Sequence, residues 1–218
     1  MSAYGDWDCP LCNTGKMQSP INIIPTETKE LGKLEFHYVP EVLKLEDTEF
    51  NILMMCSGES TLVYNNQTYT LQQYHFHHPG EHTINGEPYA MELHFVHSND
   101  AGDMLVVAVM LTIGASEHPG YDALWQQLPI TGNNASAEDT PLDLSALFPA
   151  DTAHFYHYIG SLTTPPCTEN IQWFILADPV ALSQQQVAAY GAYRTGNNRP
   201  IQATNARPIY SNTMPNAT

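Results

Sequence analysis

Between Gln73 and His97 the chain places six of its ten histidines, in the runs Gln73-Tyr74-His75-Phe76-His77-His78, Glu81-His82 and Met91-Glu92-Leu93-His94-Phe95-Val96-His97. Side chains alternate faces along a strand, so His75 and His77 project from one face and Phe76 from the other. In the second run Glu92, His94 and Val96 share a face, opposite Leu93, Phe95 and His97. If the two strands pair, three imidazoles converge. Three neutral nitrogens at about 2.0–2.1 Å from one Zn²⁺, with a fourth position open, is the arrangement of a catalytic rather than a structural zinc site. The competing reading of this pattern alone is histidines packed and hydrogen-bonded inside a sheet. A second stretch, Ser161-Leu162-Thr163-Thr164-Pro165-Pro166-Cys167, sets hydroxyls in a rigid extended turn, because each proline fixes its own φ and restricts the residue before it.

These side chains need a scaffold, and the hydrophobic pattern supplies one. Leu34–Val39, Val42–Glu46, Phe50–Met55, Thr61–Tyr64, Tyr69–Phe76 and Tyr89–His97 read as strands at the spacing of an antiparallel sheet. Asn65-Asn66 and Asn85-Gly86 are turn signals between them. Leu105–Ile113 is unbroken, apolar and β-branched, the pattern of a central strand buried on both faces. Ile171–Leu176 is a further strand, and Tyr121–Leu128 suits a short helix. Ser183 followed three residues later by Gln186 has capping-box form, which predicts a helix from Gln184 to Tyr193. Thr131–Pro141 is a polar loop. The reading is a single, mainly β domain over residues 1–218, with a short, irregular segment at 1–17.

The charge balance narrows the function. With 23 Asp and Glu against 7 Lys and Arg, the formal charge is −16. Such a field repels phosphate backbones and anionic lipid, so neither nucleic acid nor a membrane is an expected partner. The longest apolar run, Met104–Leu111, is too short to span a bilayer, and no leader pattern opens the chain, so the protein is either cytosolic or has had a leader removed. Cys9-Pro-Leu-Cys12 could signal redox chemistry or half a zinc site, but no second C-x-x-C and no βαβ pattern accompany it. A disulfide between distant segments is the favoured use of the four cysteines, with the pairing left open.

Six pieces of the chain, in order, carry a family resemblance: Gln18-Ser-Pro-Ile-Asn-Ile, Gln73-Tyr-His-Phe-His, Gly80-Glu-His-Thr, Glu92-Leu-His-Phe-Val-His, Ser161-Leu-Thr-Thr-Pro-Pro and Asn198-Arg-Pro-Ile-Gln. Together they resemble the α-class carbonic anhydrases, in particular the bacterial and secreted members. The resemblance implies α+β secondary structure dominated by a twisted, largely antiparallel sheet of about ten strands, with short peripheral helices. It implies a zinc enzyme that interconverts CO₂ and bicarbonate through zinc-bound hydroxide and is open to inhibition by anions and sulfonamides. His75, His77 and His94 match the zinc ligands, and Gln73 and Glu92 match the residues that hold the ligand imidazoles. Thr163 matches the hydroxyl that orients the nucleophile, and Glu81 the buried carboxylate that accepts the Thr163 hydroxyl's hydrogen bond. Val96, Val106, Leu162 and Trp173 match the apolar wall of the CO₂ site, which Thr163 and Thr164 complete. His82 and His97 match structural histidines, and His78 replaces an aromatic and points away from the metal.

The chain departs from the family in three places. Ser57-Gly58-Glu59 is read in place of Asn-Gly-His, which puts Glu59 where fast members carry a proton-shuttle histidine. A carboxylate in water titrates about 2.7 pH units below a zinc-activated water, roughly 3.7 kcal/mol uphill, so slow proton export is expected. The aromatic cluster before Gln18 is shortened to Tyr4-Gly5 and Trp7, with Tyr4 a candidate for the pocket tyrosine. Finally, the family's disulfide maps onto Cys12 and Cys167, which favours a periplasmic or extracellular home and leaves Cys9 and Cys56 over. The rival to an enzyme is a catalytically silent carbonic-anhydrase-like binding module, which usually lacks one or more ligand histidines. A generic zinc hydrolase is disfavoured, since no H-E-x-x-H occurs.

Overall fold

The computed structural model describes residues 7–128 and 141–212. Its strands are β1 Asn22–Ile23, β2 Glu27–Lys29, β3 Glu35–His37, β4 Lys44–Asp47, β5 Ile52–Met55, β6 Thr61–Tyr64, β7 Gln67–His77 and β8 Thr83–Ile84. They continue as β9 Glu87–Pro88, β10 Met91–Ser98, β11 Met104–Gly114, β12 Phe155–Ser161, β13 Glu169–Leu176, β14 Val180–Ser183 and β15 Tyr210–Asn212. The helices are α1 Pro10–Thr14, α2 Pro119–Gln127 and α3 Gln184–Tyr193, with a 3₁₀ turn at Leu144–Leu147.

Twelve strands form one mixed sheet, whose main path runs β2-β15-β12-β13-β11-β10-β7-β5-β4. The apolar run of β11 sits at its centre, and Leu105–Leu111 are all buried. β11 pairs antiparallel with β10 but parallel with β13 and β14, and β15 pairs parallel with β2. Hydrophobic alternation is the same in either kind of ladder, so these parallel pairings, which need long crossovers, were not legible as such. The sheet's two faces are sorted by strand parity. Phe76, Leu93, Phe95, Val107 and Phe174 enter one core, which Trp125 of α2 and Tyr190 of α3 cover. Val96, Val106, Ala108 and Trp173 enter a second core with Ile21 and Tyr158. A one-residue slip of β7 or β10 would exchange the faces.

The local signals resolve as follows. β6 has the predicted limits, and α3 carries the full capping box between Ser183 and Gln186. Asn65 and Asn66 (φ 49° and 62°) and Asn85 and Gly86 (φ 52° and 84°) all take left-handed conformations, as two-residue hairpin turns demand. β5 starts at Ile52 rather than Phe50 because Thr48 closes a turn on Asn51, its Oγ1 accepting the Asn51 N–H at 2.9 Å. α2 starts at Pro119, ahead of the predicted Tyr121, since proline suits a first helical position. Strands β12, β14 and β15 and helix α1 were not anticipated. The predicted polar loop Thr131–Pro141 lies outside the described residues but for Pro141, and so does Tyr4. His78 points away from the histidine cluster, as predicted. It bonds Thr195 Oγ1 at 2.9 Å, and a Cβ on Gly191 of α3 would approach its ring to 2.8 Å.

His97 illustrates how the buried histidines couple the fold to pH. Its Nε2 bonds the Tyr38 hydroxyl at 2.7 Å and its Nδ1 faces Leu105 O at 3.3 Å. Burial pushes its pKa down to about 4, despite hydrogen bonds to backbone carbonyls that favour the cation. A histidine depressed in the folded state stays neutral there while the unfolded chain protonates. Its stabilisation is therefore complete above the unfolded value near 6.5 and is lost as pH falls toward 4. That window holds about 3 kcal/mol. Urea unfolding from pH 7 to pH 4 should show this loss, and His97→Gln should flatten the slope by about one proton. An unchanged slope in the variant would show that His97 is not the group.

Candidate active site

β7 and β10 pair antiparallel with His75 opposite His94, His77 opposite Glu92, and Gln73 opposite Val96. Since the first-named residues and their partners all point to the same face, the register alone gathers three imidazoles. Their ring centroids lie 4.7–5.2 Å apart, and each offers a nitrogen within 4.8 Å of the other two. All three rings are buried.

The outward nitrogens are engaged. His75 Nδ1 bonds Gln73 Oε1 at 2.8 Å, His77 Nδ1 bonds the Asn197 carbonyl at 2.8 Å, and His94 Nε2 bonds Glu92 Oε1 at 2.7 Å. An acceptor on the outer nitrogen places the ring proton there and leaves a lone pair on the inner one. The inward atoms are then Nε2 of His75, Nε2 of His77 and Nδ1 of His94. Burial pushes all three pKa values down, that of His77 to about 3, and repulsion between the rings adds to it for His75 and His77. Neutral rings with converging lone pairs form a donor set that fits a borderline cation such as Zn²⁺ and carries no charge to repel it.

Glu92 is the anchor beneath this set. Burial alone would raise its pKa, but His82 and His94 outweigh that and hold it well below the usual carboxylate range. The carboxylate accepts from His94, from His82 Nδ1 at 2.6 Å, and from the backbone N–H of Glu81 and His82 at 2.7 Å each. His82, Glu92 and His94 also lie close enough to hold a cation, yet their facing atoms are spent on one another. His82 Nε2 bonds the Tyr158 hydroxyl at 2.7 Å, which bonds Ser19 Oγ at 2.7 Å, the structural use predicted for His82.

Glu81 lies beside His77, with Oε1 3.3 Å from its Nδ1. Oε1 accepts the Arg199 N–H at 2.7 Å, whereas buried Oε2 has no partner in hydrogen-bonding geometry. Burial and then the Glu92 charge push the Glu81 pKa well up, and Arg199 and the Thr163 hydroxyl counter this only partly. Thr163 is therefore close enough to act on Glu81, without a formed bond to Oε2. It sits, buried, on the loop between β12 and β13, which is closed by Leu162 N–H to Thr168 O at 3.0 Å and Cys167 N–H to Thr164 O at 2.9 Å.

A cavity of about 260 Å³ opens onto His75 and His94. Gln73, Val96, Val106, Leu162, Thr163, Thr164 and Trp173 line its depth, so the expected apolar wall and hydroxyl pair meet the histidines in one place. Trp173 is pinned by its Nε1–H to Ser161 O at 2.9 Å. Thr48, Phe50, Asn51, Leu53, Met104 and Pro165 line the rest. Glu59 is not among the lining residues. It lies exposed past the end of β5, on the turn that Gly58 makes at φ +88°, with its N–H on Ser57 Oγ at 3.2 Å. Glu59 thus lies outside this cavity's lining, and the geometry does not show the shuttle expected of it. Leu53 and Asn51 line the cavity, and so does half-buried Thr48.

Sequence reasoning missed Asn197, whose carbonyl holds His77 and whose side chain bonds Phe76 O at 2.8 Å, Asn51 Oδ1 at 2.9 Å and the His78 N–H at 2.8 Å. It also missed Arg199, whose guanidinium bonds Gln18 Oε1, Ser19 O and Cys12 O at 2.7–2.8 Å while its backbone holds Glu81. The available signal was the Asn198-Arg-Pro-Ile-Gln piece beside them.

Cys12 lies in disulfide geometry with Cys167, as the resemblance implies, and also with Cys9, at Cα separations of 5.2 and 5.3 Å. One sulfur makes one such bond at a time, so these are alternatives. Cys56 is free of both, and burial followed by the Glu41 charge pushes its thiol up to about 12.

A family model described as eukaryotic-type carbonic anhydrase matches residues 3–213. A carbonic anhydrase of Pectobacterium carotovorum is 38% identical over 203 residues, covering 93% of this chain and 82% of that protein. The Photobacterium profundum α-carbonic anhydrase superposes with a TM-score of 0.85 at 35% identity, over 92% of this chain and 91% of that one. The α-carbonic anhydrase of Thermovibrio ammonificans, solved with sulfanilamide, gives 0.84 at 32% identity, over 92% and 89% of the two chains.

Proposed function

This chain belongs to the eukaryotic-type, or α, carbonic anhydrase family, and from that premise we propose that it hydrates CO₂ reversibly to bicarbonate and a proton at a zinc held by His75 Nε2, His77 Nε2 and His94 Nδ1. The observation that carries the reading is the set of three buried, neutral imidazoles with their outer nitrogens engaged and their inner ones converging. Zinc held there would supply Lewis acidity, bringing the pKa of a bound water far down, to about 7, a figure whose reference case is carbonic anhydrase itself.

The chain's own residues do the rest. Gln73, the Asn197 carbonyl and Glu92 fix the tautomer and tilt of each ligand ring. The Thr163 hydroxyl would donate its hydrogen bond to Glu81 Oε2, which has no other partner, so that its oxygen is left to accept from the nucleophile and aim the attacking lone pair at the substrate carbon. Arg199 N–H holds Glu81 in place for this. Val96, Val106, Leu162 and Trp173 offer CO₂ an apolar wall that keeps bulk water off the reacting carbon, and Thr163 and Thr164 line the same cavity. Among the described residues the cavity is lined by no carboxylate, lysine or further histidine, so the proton leaves through water to buffer. Alternative disulfides at Cys12 suit a periplasmic or extracellular location.

Metal removal tests the ligand set. The protein should carry one zinc per chain and bind a benzenesulfonamide, with both properties lost in a chelator and restored by zinc. His94→Ala should lower metal affinity steeply while α3 and the sheet still fold. Full sulfonamide affinity in the metal-free protein would contradict the assignment.

A further inference from the structure

We propose that Cys9, Cys12 and Cys167 form an intramolecular thiol–disulfide exchange site that switches the brace on the Thr163 loop. Cys12 is buried at the centre of the group, with Cys9 and Cys167 both at Cα distances that permit a bond to it. The three sulfurs lie together without a fourth His, Cys, Asp or Glu donor among the described residues, which disfavours a closed metal site. Cys9 is placed for exchange in either protonation state. Its Sγ accepts the Cys12 N–H at 3.3 Å, and as a thiol it faces Pro166 O at 3.5 Å, one residue from Cys167.

The step is redox-neutral. Cys9 loses its proton to solvent, and its thiolate attacks Cys12 Sγ. The Cys9–Cys12 bond forms, the Cys12–Cys167 bond breaks, and Cys167 leaves as a thiolate that takes a proton from solvent. Two electrons remain shared in one disulfide throughout. The two states differ in what is tied together. Cys12–Cys167 joins α1 to the loop that carries Thr163 and Thr164, whereas Cys9–Cys12 closes a three-residue step within the N-terminal segment and frees that loop. Arg199 relays the same corner to the site, since its guanidinium holds Cys12 O and its backbone holds Glu81.

The test reads sulfur connectivity, not activity. Native, air-oxidised holoprotein would be incubated at pH 8, quenched in acid, alkylated with a maleimide in denaturant, and mapped by mass spectrometry without reduction. Label on both Cys9 and Cys167, in a ratio that returns to the same value after the protein is briefly reduced and reoxidised, is the expected result. With Cys56, free in every state, set aside, label confined to Cys9, or label on all three of Cys9, Cys12 and Cys167, would overturn the proposal. So would a second zinc per chain released by a thiol reagent. Cys9→Ser should lock the Cys12–Cys167 form with full CO₂ turnover, and Cys167→Ser should lock Cys9–Cys12 with reduced turnover. That last arm rests on the role given to Thr163, while the label ratio does not.

Discussion

Thr163→Val should fold and bind zinc as the parent does and should lose on the order of 10²-fold in both kcat and kcat/KM for CO₂ hydration. Valine keeps the shape of threonine and its backbone N–H, but removes the one hydroxyl that can donate a hydrogen bond to Glu81 while accepting one from the nucleophile. What is lost is orientation, which exists only on the way to the transition state, so KM should change little. Glu81→Gln should act through the same link. Oε1 of Glu81 is occupied by Arg199 N–H and Oε2 is free for the hydroxyl. The double variant should therefore cost about as much as either single one. Effects that multiply would mean that Thr163 and Glu81 work separately. Zinc content and sulfonamide affinity, measured alongside, separate this loss from damage to the ligand rings.

The second large effect concerns the proton. With Thr48 in the lining and Glu59 outside it, the described lining of the cavity carries no carboxylate, lysine or histidine beyond His75 and His94. In dilute, non-penetrating buffer kcat should be limited by proton export, and added imidazole should raise it by about 10-fold or more. Thr48→His should give part of that gain without imidazole, because it sets an imidazole in the cavity's lining. Glu59→Gln should change nothing. A parent enzyme indifferent to buffer, or one slowed by Glu59→Gln, would contradict this placement.

The difference between Glu59 and Thr48 shows where the sequence was legible and where it was not. His75, His77 and His94 could be placed because their face was set by strand parity within two long, strongly patterned strands. Gln73, Glu92 and Val96 followed from the same parity, whereas Val106, on β11, came from the resemblance alone. Glu59 depended on a short motif read across a turn, where no periodicity constrains the register. The Thr48–Asn51 turn shortened β5, and Gly58 turned the chain outward, so the motif's third residue left the cavity. Asn197 and Arg199 act largely through backbone groups, a carbonyl on His77 and an N–H on Glu81, and residue types do not signal such roles. The parallel ladders at β11 were hidden because a strand buried on both faces reads alike whichever way its neighbours run. The resemblance joined Cys12 to Cys167, but nothing in the spacing indicated that Cys9 also lies in disulfide geometry with Cys12.

The most direct test of the account is stopped-flow CO₂ hydration on protein stripped by a chelator and then restored with zinc, with imidazole present so that proton export does not mask chemistry. Turnover that vanishes with the metal and returns as one zinc per chain is restored is the predicted result. A protein that takes up one zinc on His75, His77 and His94 and still fails to hydrate CO₂ would contradict it, leaving a binding module on the same fold.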